Sequence, residues 1–391
     1  MHIYKTSQGS WAYRIDIGKN SRTGKRLQKS KSGFLKKKEA EAAARSLLES
    51  IAQHRYVEKS SVTFGEFARD WLKLYAQNVK KASVRIRTHQ LGILKRHFDK
   101  IPIQEISKKD YQIFLLNLGK QYAVNTISGV HTTARMIFKK AREFDVLYQD
   151  PTEFTAIARP KRGIINPDDD IPAYLEKEDL DLFLKQAKSI GHQGDYPLFA
   201  LLSYTGVRIG EAQALTWEDI DFTKKLIRIN KTIYNPTNNR LEYELTSPKT
   251  ERSIRIIDIP TFLVNVLRAH KSENNKLRLL YGISWHKPDG SPQGFVFTSP
   301  SSPGYPLTQR FIQNRLDRIQ KFLELPMRLH PHLFRHTHAS LLAEAGVGLD
   351  QIMDRLGHTD DNTTKRIYLH VTKDRKLDAS EKFADLMAKI N

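Results

Sequence analysis

Cysteine is absent from all 391 residues, which excludes disulfides, thiolate nucleophiles and cysteine-based zinc sites together. Acidic residues are few relative to basic ones. The chain has 43 aspartates and glutamates against 64 lysines and arginines, a formal net charge of +21 and a pI near 9.8. An imbalance of that size selects polyanionic partners, either phosphate backbones or an anionic membrane surface. Nowhere does the chain run through eighteen consecutive apolar residues, and its charged beginning lacks a signal-peptide core. Composition therefore predicts a cytoplasmic protein that binds nucleic acid and makes no use of a membrane. The length predicts about two to four domains, each able to bury a core.

What is present falls into modules. Residues 1–58 hold 13 lysines and arginines against five acids. Ser10 to Ile17 alternates apolar and polar side chains, a strand pattern; Asn20 to Lys25 reads as a turn and Arg26 to Lys31 as a returning strand. Gly33-Phe34 then opens a helix from Lys36 to about His54. A DNA reader and a solvated charged hairpin both fit this composition. Residues 62–155 predict a helical module. Thr63-Phe64-Gly65-Glu66 is a capping box, and Phe64, Phe67, Trp71, Leu74 and Tyr75 follow at helical spacing, most of the aromatics among them being expected in the core. Further helices are expected over 83–98, 107–118 and 125–144. A charge run is usually only a solvated face. Here Lys80, Lys81, Arg85, Arg87, Lys95 and Arg96 occur with no acid between them, which favours phosphate contact, the first four being the candidate DNA-binding residues. Residues 156–172 carry proline, glycine and charge without apolar periodicity and read as an interdomain strap.

Residues 173–391 hold the densest chemistry. A helix begins near Leu175, and a buried helix over Leu198 to Tyr204 leads into Thr205-Gly206-Val207-Arg208-Ile209-Gly210-Glu211. Strands are expected at Leu226–Lys231 and Arg252–Ile257, with Ser247-Pro248-Lys249-Thr250 between them. Residues 270–306 read as a surface excursion, from which a Phe295–Phe297 strand and a helix start at Leu307-Thr308 return the chain to the core. A helix over Leu333 to Ala345 stops at Gly346, a shorter one over Asp350 to Leu356 stops at Gly357, and a third ends near Tyr368. Phe383, Leu386, Met387 and Ile390 form a terminal apolar stripe. The histidines at 330, 332, 336 and 338 suggest a metal cluster at first sight, but the carboxylate of a His-Glu-x-x-His pattern is missing and Arg335 sits where it would repel a cation.

Arg208 with Glu211, Lys249, His332-Leu333-Phe334-Arg335-His336, Leu356-Gly357-His358 and Tyr368 stand in an order that resembles the tyrosine recombinase (phage integrase) family. The chemistry accounts for the set. Cutting a DNA strand by transesterification needs a nucleophile, charge neutralisation at the phosphate and a proton for the leaving oxygen. The resemblance implies Tyr368 as nucleophile and Arg208 and Arg335 as a bidentate clamp. It implies His332 and His358 as phosphate ligands and proton handlers, Glu211 as the acid that orients Arg208, and Lys249 as the hairpin lysine that protonates the departing 5′ oxygen. Neither metal nor other cofactor is implied. The implied fold is multidomain α+β: a small sheet-plus-helix module, an all-helical core-binding domain, and a mainly helical catalytic domain (173–391) with a short antiparallel sheet and a tail helix. Residues 1–58 are similar to the AP2-like amino-terminal domain of phage and conjugative-element integrases, which implies DNA contacts from Arg14, Lys25, Arg26 and Lys29. The implied partners are double-stranded DNA at core-type and arm-type attachment sites, three further copies of the chain, an excisionase and a host DNA-bending protein. The implied activity integrates and excises a prophage or conjugative transposon through a 3′-phosphotyrosyl link, in the cytoplasm and on the nucleoid when bound. The tail stripe fits docking on a neighbouring protomer and on its own domain alike. A DNA-binding protein with a dead pocket would have lost one of the Tyr, Arg or His residues, and none is missing. A type IB topoisomerase-like enzyme would share the pocket but not the separate basic module.

Overall fold

The computed structural model describes residues 1–19, 26–52, 60–157, 173–248, 250–325, 327–357, 362–372 and 387–388. The chain divides into two compact units, Met1–Gly163 and Ile164–Asn391.

The first unit begins with an antiparallel sheet in the order β1 (His2–Lys5), β2 (Trp11–Lys19), β3 (Arg26–Phe34), followed by α1 (Lys37–Ala52). Alternation along β2 sends Tyr13 and Ile15 to one face, where they pack with Ile3, Ala43, Ala44 and Leu47. Arg14 pairs across from His2 and Ser30 and so belongs to the opposite face, with its guanidinium 5.8 Å from the Tyr4 ring centre. Phe34 does not open the helix as the sequence suggested. It ends β3 opposite Trp11 and packs on Tyr13, and Gly33 takes φ +96° to let the strand bend toward α1.

The rest of this unit is helical: α2 (Phe64–Gln77), α3 (Lys81–Phe98), α4 (Lys108–Leu118) and α5 (Val124–Glu143). Thr63 and Glu66 form the expected reciprocal cap on α2, and Ser107 with Asp110 forms another on α4. Phe64, Phe98, Tyr111 and Phe138 interlock in the centre, each buried ring contributing roughly 1.5–3 kcal/mol. Leu74, which shares the helical spacing of the α2 aromatics, faces solvent. The buried stripe of α2 is Phe64, Ala68 and Trp71, and Leu74 lies to one side of it.

In the second unit, α6 (Lys177–Ser189) is followed by α7 (Asp195–Thr205), whose residues Leu198 to Leu202 are all buried. α7 is therefore a core helix, and the short α8 (Ile209–Ala214) follows it. Next come β4 (Ile220–Asp221), β5 (Leu226–Ile229), the hairpin β6 (Thr232–Tyr234)–β7 (Glu244–Thr246), and β8 (Arg255–Asp258). β4, β5 and β8 make one antiparallel sheet in that order, while β6 and β7 pair separately. α9 (Thr261–Tyr281) carries the chain well past residue 270, so the expected surface excursion is largely folded. His270 Nε2 and Asn274 Nδ2 both reach the Val296 carbonyl at 2.8 Å, Trp285 and Phe295 to Phe297 are buried, and β9 (Thr298–Ser299) pairs with β10 (Ser302–Pro306). Polar composition misled there because its buried polar groups are satisfied by backbone rather than water.

α10 (Gln309–Gln320), capped by Thr308, leads to α11 (Pro331–Glu344), α12 (Leu349–Leu356) and α13 (Asn362–Val371). α11 starts at Pro331, two residues before the expected Leu333, because proline at the first helical position has no amide to leave unpaired. Gly346 (φ +88°) and Gly357 (φ +69°) end α11 and α12 as expected. Of the terminal stripe, Phe383, Leu386 and Ile390 lie outside the described residues. Among the described residues no helix is long and apolar enough to cross a membrane.

Candidate active site

Where α7 ends, Gly206 takes φ +62° and the chain turns into α8 with Arg208 at its N-cap. A Cβ at Gly206 would lie 2.7 Å from both His338 Cδ2 and Leu356 Cδ2, so this turn needs glycine for space as well as for backbone freedom. From the N-cap, Arg208 donates twice to Glu211: its amide to Oε2 and its Nη1 to Oε1, both at 2.9 Å. The Arg208 side chain stays 33% exposed, while that of Glu211 is 3% exposed. One edge of the guanidinium is thus fixed and the remainder faces outward.

Glu211 has a second cation. Arg255 Nη2 donates to its Oε2 at 2.9 Å, and the same guanidinium sends Nε to the Arg355 carbonyl at 2.8 Å and Nη1 to the Ser253 carbonyl at 3.1 Å. Burial alone pushes the Glu211 carboxyl up. The charge of Arg255, its hydrogen bond, the Arg208 amide and the Arg208 charge together outweigh burial and hold the carboxyl below its ordinary value. It is ionised at neutral pH.

His332 and Arg335 lie one turn apart at the start of α11. Arg335 is buried, with Nη1 donating to the Gly206 carbonyl at 2.7 Å and Nη2 to the Leu356 carbonyl at 2.5 Å. It therefore ties the turn before Arg208 to the end of α12. The His332 ring remains exposed at the surface. Partial desolvation, then the charges of Arg335, His330 and Arg208, hold its pKa below the ordinary value against the pull of Glu211. At neutral pH it is an uncharged imidazole, able to give one proton and accept another. His332, Arg335, Arg208 and Glu211 form one electrostatic cluster.

At Gly357, the left-handed residue after α12, a Cβ would lie 3.2 Å from Arg252 O, Ser253 Cα and Arg255 Cδ. Tyr368 sits on α13 with its side chain half-buried against Ala339, Ala343, Ile352 and Leu356. The helix pair α11–α12 that presents Arg335 thus also seats the tyrosine. The hairpin β6–β7 meets α8 closely, since a Cβ at Gly210 would come within 2.5 Å of Thr232 Oγ1. Lys249, His358 and Lys25 lie outside the described residues.

Two residues of this neighbourhood were not singled out from sequence, Arg255 and Arg355, and a third, His338, drew notice there only as a metal ligand to be dismissed. Arg355 donates from Nε to His338 Nε2 at 3.2 Å and from Nη1 to Asp258 Oδ1 at 2.6 Å, and His338 Nδ1 donates to the Ser203 carbonyl at 2.9 Å. Burial first, then the Arg355 charge, drive the His338 pKa down to about 3, so this histidine is a neutral strut. Arg255 had a faint signal. Ile257 and Ile259 are the inward residues of the strand, and counting back in twos puts an arginine inside.

The basic residues distribute unevenly. Arg14, Arg26, Lys80, Lys81 and Arg85 are exposed. Arg87, grouped with them from sequence, turns inward: its Nη1 donates to Gln90 Oε1 at 2.9 Å and Thr133 Oγ1 at 3.1 Å. Lys29 is half-buried and pairs across from Ile15, which places it on the helix side of the sheet, away from Arg14. Among the described residues no three His, Asp or Glu side chains group as metal ligands.

Residues 173–375 match the phage integrase family, and residues 2–51 match an arm DNA-binding domain. The chain is 29% identical over 345 residues to the integrase of Staphylococcus phage L54a, covering 82% of this chain and 93% of that protein. It is also 29% identical over 386 residues to a XerC-like tyrosine recombinase of Caldanaerobacter subterraneus, covering 95% of each. Among solved structures, the Tn1549 transposon integrase in complex with transposon right end DNA superposes with a TM-score of 0.68 at 22% identity, over 83% of this chain and 100% of that one. That likeness establishes the fold.

Proposed function

This chain belongs to the phage integrase family and is a tyrosine-type DNA strand transferase; we propose that Tyr368, Arg208, Arg335, His332, His358 and Lys249 carry its chemistry. The Tyr368 hydroxyl oxygen attacks the scissile phosphorus, a phosphorus–oxygen bond to tyrosine forms, and the bond to the 5′ oxygen breaks. Arg208 and Arg335 take up the charge that grows on the non-bridging oxygens. Lys249 protonates the departing oxygen, and His332 and His358 hold the phosphate and relay protons. A 5′ hydroxyl from a partner strand then reverses the step. The phosphodiester energy stays in the phosphotyrosyl link, so ATP is not needed, and two guanidiniums stand where other nucleases place metal ions.

The observation that carries this reading is the partly exposed, Glu211-anchored guanidinium of Arg208 in one cluster with Arg335 and His332. The test is a nicked suicide substrate that traps covalent complex on a denaturing gel. The complex is expected to form equally with EDTA and with magnesium. Activity that disappears in EDTA and returns only with magnesium would point to a different phosphoryl-transfer site.

The functional domains proposed are 1–58 for arm-type sites and both 62–155 and 173–391 for core-type sites, with 156–172 as the linker. Arg14 and Arg26, exposed on the sheet, support an arm-site role for the first. Lys80, Lys81 and Arg85 at the start of α3 support phosphate contact by the second. Synapsis would take four copies of the chain in the cytoplasm, with an excisionase and a host DNA-bending protein setting direction, and the outcome is integration or excision of a mobile element. Footprinting checks the two-site arrangement. The full chain should protect two unlike sequences and residues 62–391 only the core type, and identical footprints would reduce the first module to non-specific affinity.

A further inference from the structure

We propose that Arg255 is a positioning residue for strand cleavage, one guanidinium that sets three catalytic segments in a single register. It holds the Glu211 carboxylate that anchors Arg208, the Ser253 carbonyl four residues beyond Lys249, and the Arg355 carbonyl three residues before His358. This rests on the reading of Arg208 as half of the phosphate clamp.

The geometry leaves little slack. Arg255 occupies an inward position of β8, opposite Ile229, where an aliphatic side chain would satisfy packing alone. Each of its three nitrogens is used, and each bond goes to a different part of the chain. The turn at Gly357 rests on the stem of Arg255, because a Cβ at that glycine would sit 3.2 Å from Arg255 Cδ. A buried ion pair with no catalytic duty is often replaceable, both partners together, by hydrocarbon of similar volume. Here its removal would leave Glu211 with Arg208 alone, and the carboxylate would be free to pull Arg208 inward, away from the phosphate.

The charged and titratable groups around Glu211 are Arg208 on its own helix cap, Arg255 from β8, and His332 with Arg335 from α11. Arg255 is the strongest influence keeping Glu211 ionised against burial. Without it the carboxyl titrates at higher pH, so the charge that orders Arg208 is lost as pH falls through the new, raised value.

Single-turnover cleavage of the suicide substrate, with DNA binding and thermal melting measured in parallel, tests the role. Arg255→Gln is expected to bind DNA as the unaltered protein does and to cleave about 10²-fold more slowly at pH 7. The acid limb of its pH–rate profile should move to higher pH, and Arg255→Gln with Glu211→Gln should lose that movement. Arg255→Lys keeps a charge beside Glu211 but cannot hold both carbonyls, so it should remain slow while its pH profile returns to that of the unaltered protein. Cleavage at the unaltered rate by Arg255→Gln, or a uniform loss with an unmoved profile, would overturn the proposal. Should Arg255→Gln fail to melt cooperatively, Arg255→Lys decides, since it keeps a charge beside Glu211 and gives up the carbonyl bonds; cleavage by that variant at the unaltered rate would overturn the proposal equally. Absence of covalent complex with the unaltered protein would instead overturn the catalytic reading on which this one stands.

Discussion

Tyr368→Phe is expected to abolish the covalent protein–DNA complex while leaving DNA binding and folding as they were. The ring of Tyr368 packs on Ala339, Ala343, Ile352 and Leu356. Phenylalanine refills that space, so the change in stability should stay within about 0.5 kcal/mol. Only the oxygen proposed as nucleophile is removed. The readout is the covalent band from a nicked suicide substrate on a denaturing gel, alongside a melting curve. A band that persists in the variant would move the nucleophile elsewhere.

Arg208→Lys is expected to cost on the order of 10²–10³ in the cleavage rate, about 2.7–4 kcal/mol of transition-state stabilisation. In the proposed role Arg208 serves two partners through one planar group: Nη1 is fixed by Glu211, and the side chain is still 33% exposed. A lysine ammonium is a single point charge. Seated on Glu211 it no longer reaches a phosphate, and turned outward it leaves a buried carboxylate short of a partner. Substrate affinity should change little, because most phosphate contacts lie elsewhere on so basic a chain. A single-turnover rate near that of the unaltered protein would remove Arg208 from the clamp.

A good part of the chain was legible from its residues. The capping box at Thr63 and Glu66, the glycine stops at Gly346 and Gly357 and the core helix through Leu198 to Leu202 each follow from a local rule, and each is where the spacing put it. The expectation for 270–306 held for its exposed residues and for the buried return at Phe295 to Phe297, but missed the helix and its inward polar groups, because polar composition reports what a segment contains. It does not report whether His270 and Asn274 find a carbonyl to bond once buried. The inward turn of Arg87 was illegible for a similar reason: in a run of cations nothing distinguishes the one whose helical angle points it at Thr133.

The sequence by itself determined which chemical groups the chain carries, their order, and the type of most elements, because helical and strand periodicities, caps and glycine stops are properties of neighbours along the chain. Only the tertiary structure decided which side of each element faces inward. In Ser253-Ile254-Arg255-Ile256-Ile257 either phase buries an isoleucine. It is the pairing of β8 with β5, which sets Ile257 against Ile227 and Arg255 against Ile229, that exposes Ile254 and Ile256 and buries the arginine. Arg335 likewise carries no local mark of its two carbonyl partners, because Gly206 lies 129 residues away and Leu356 lies 21 residues away. Bonds across such separations exist only once the core has closed around them, and the proposed catalytic cluster is built from them.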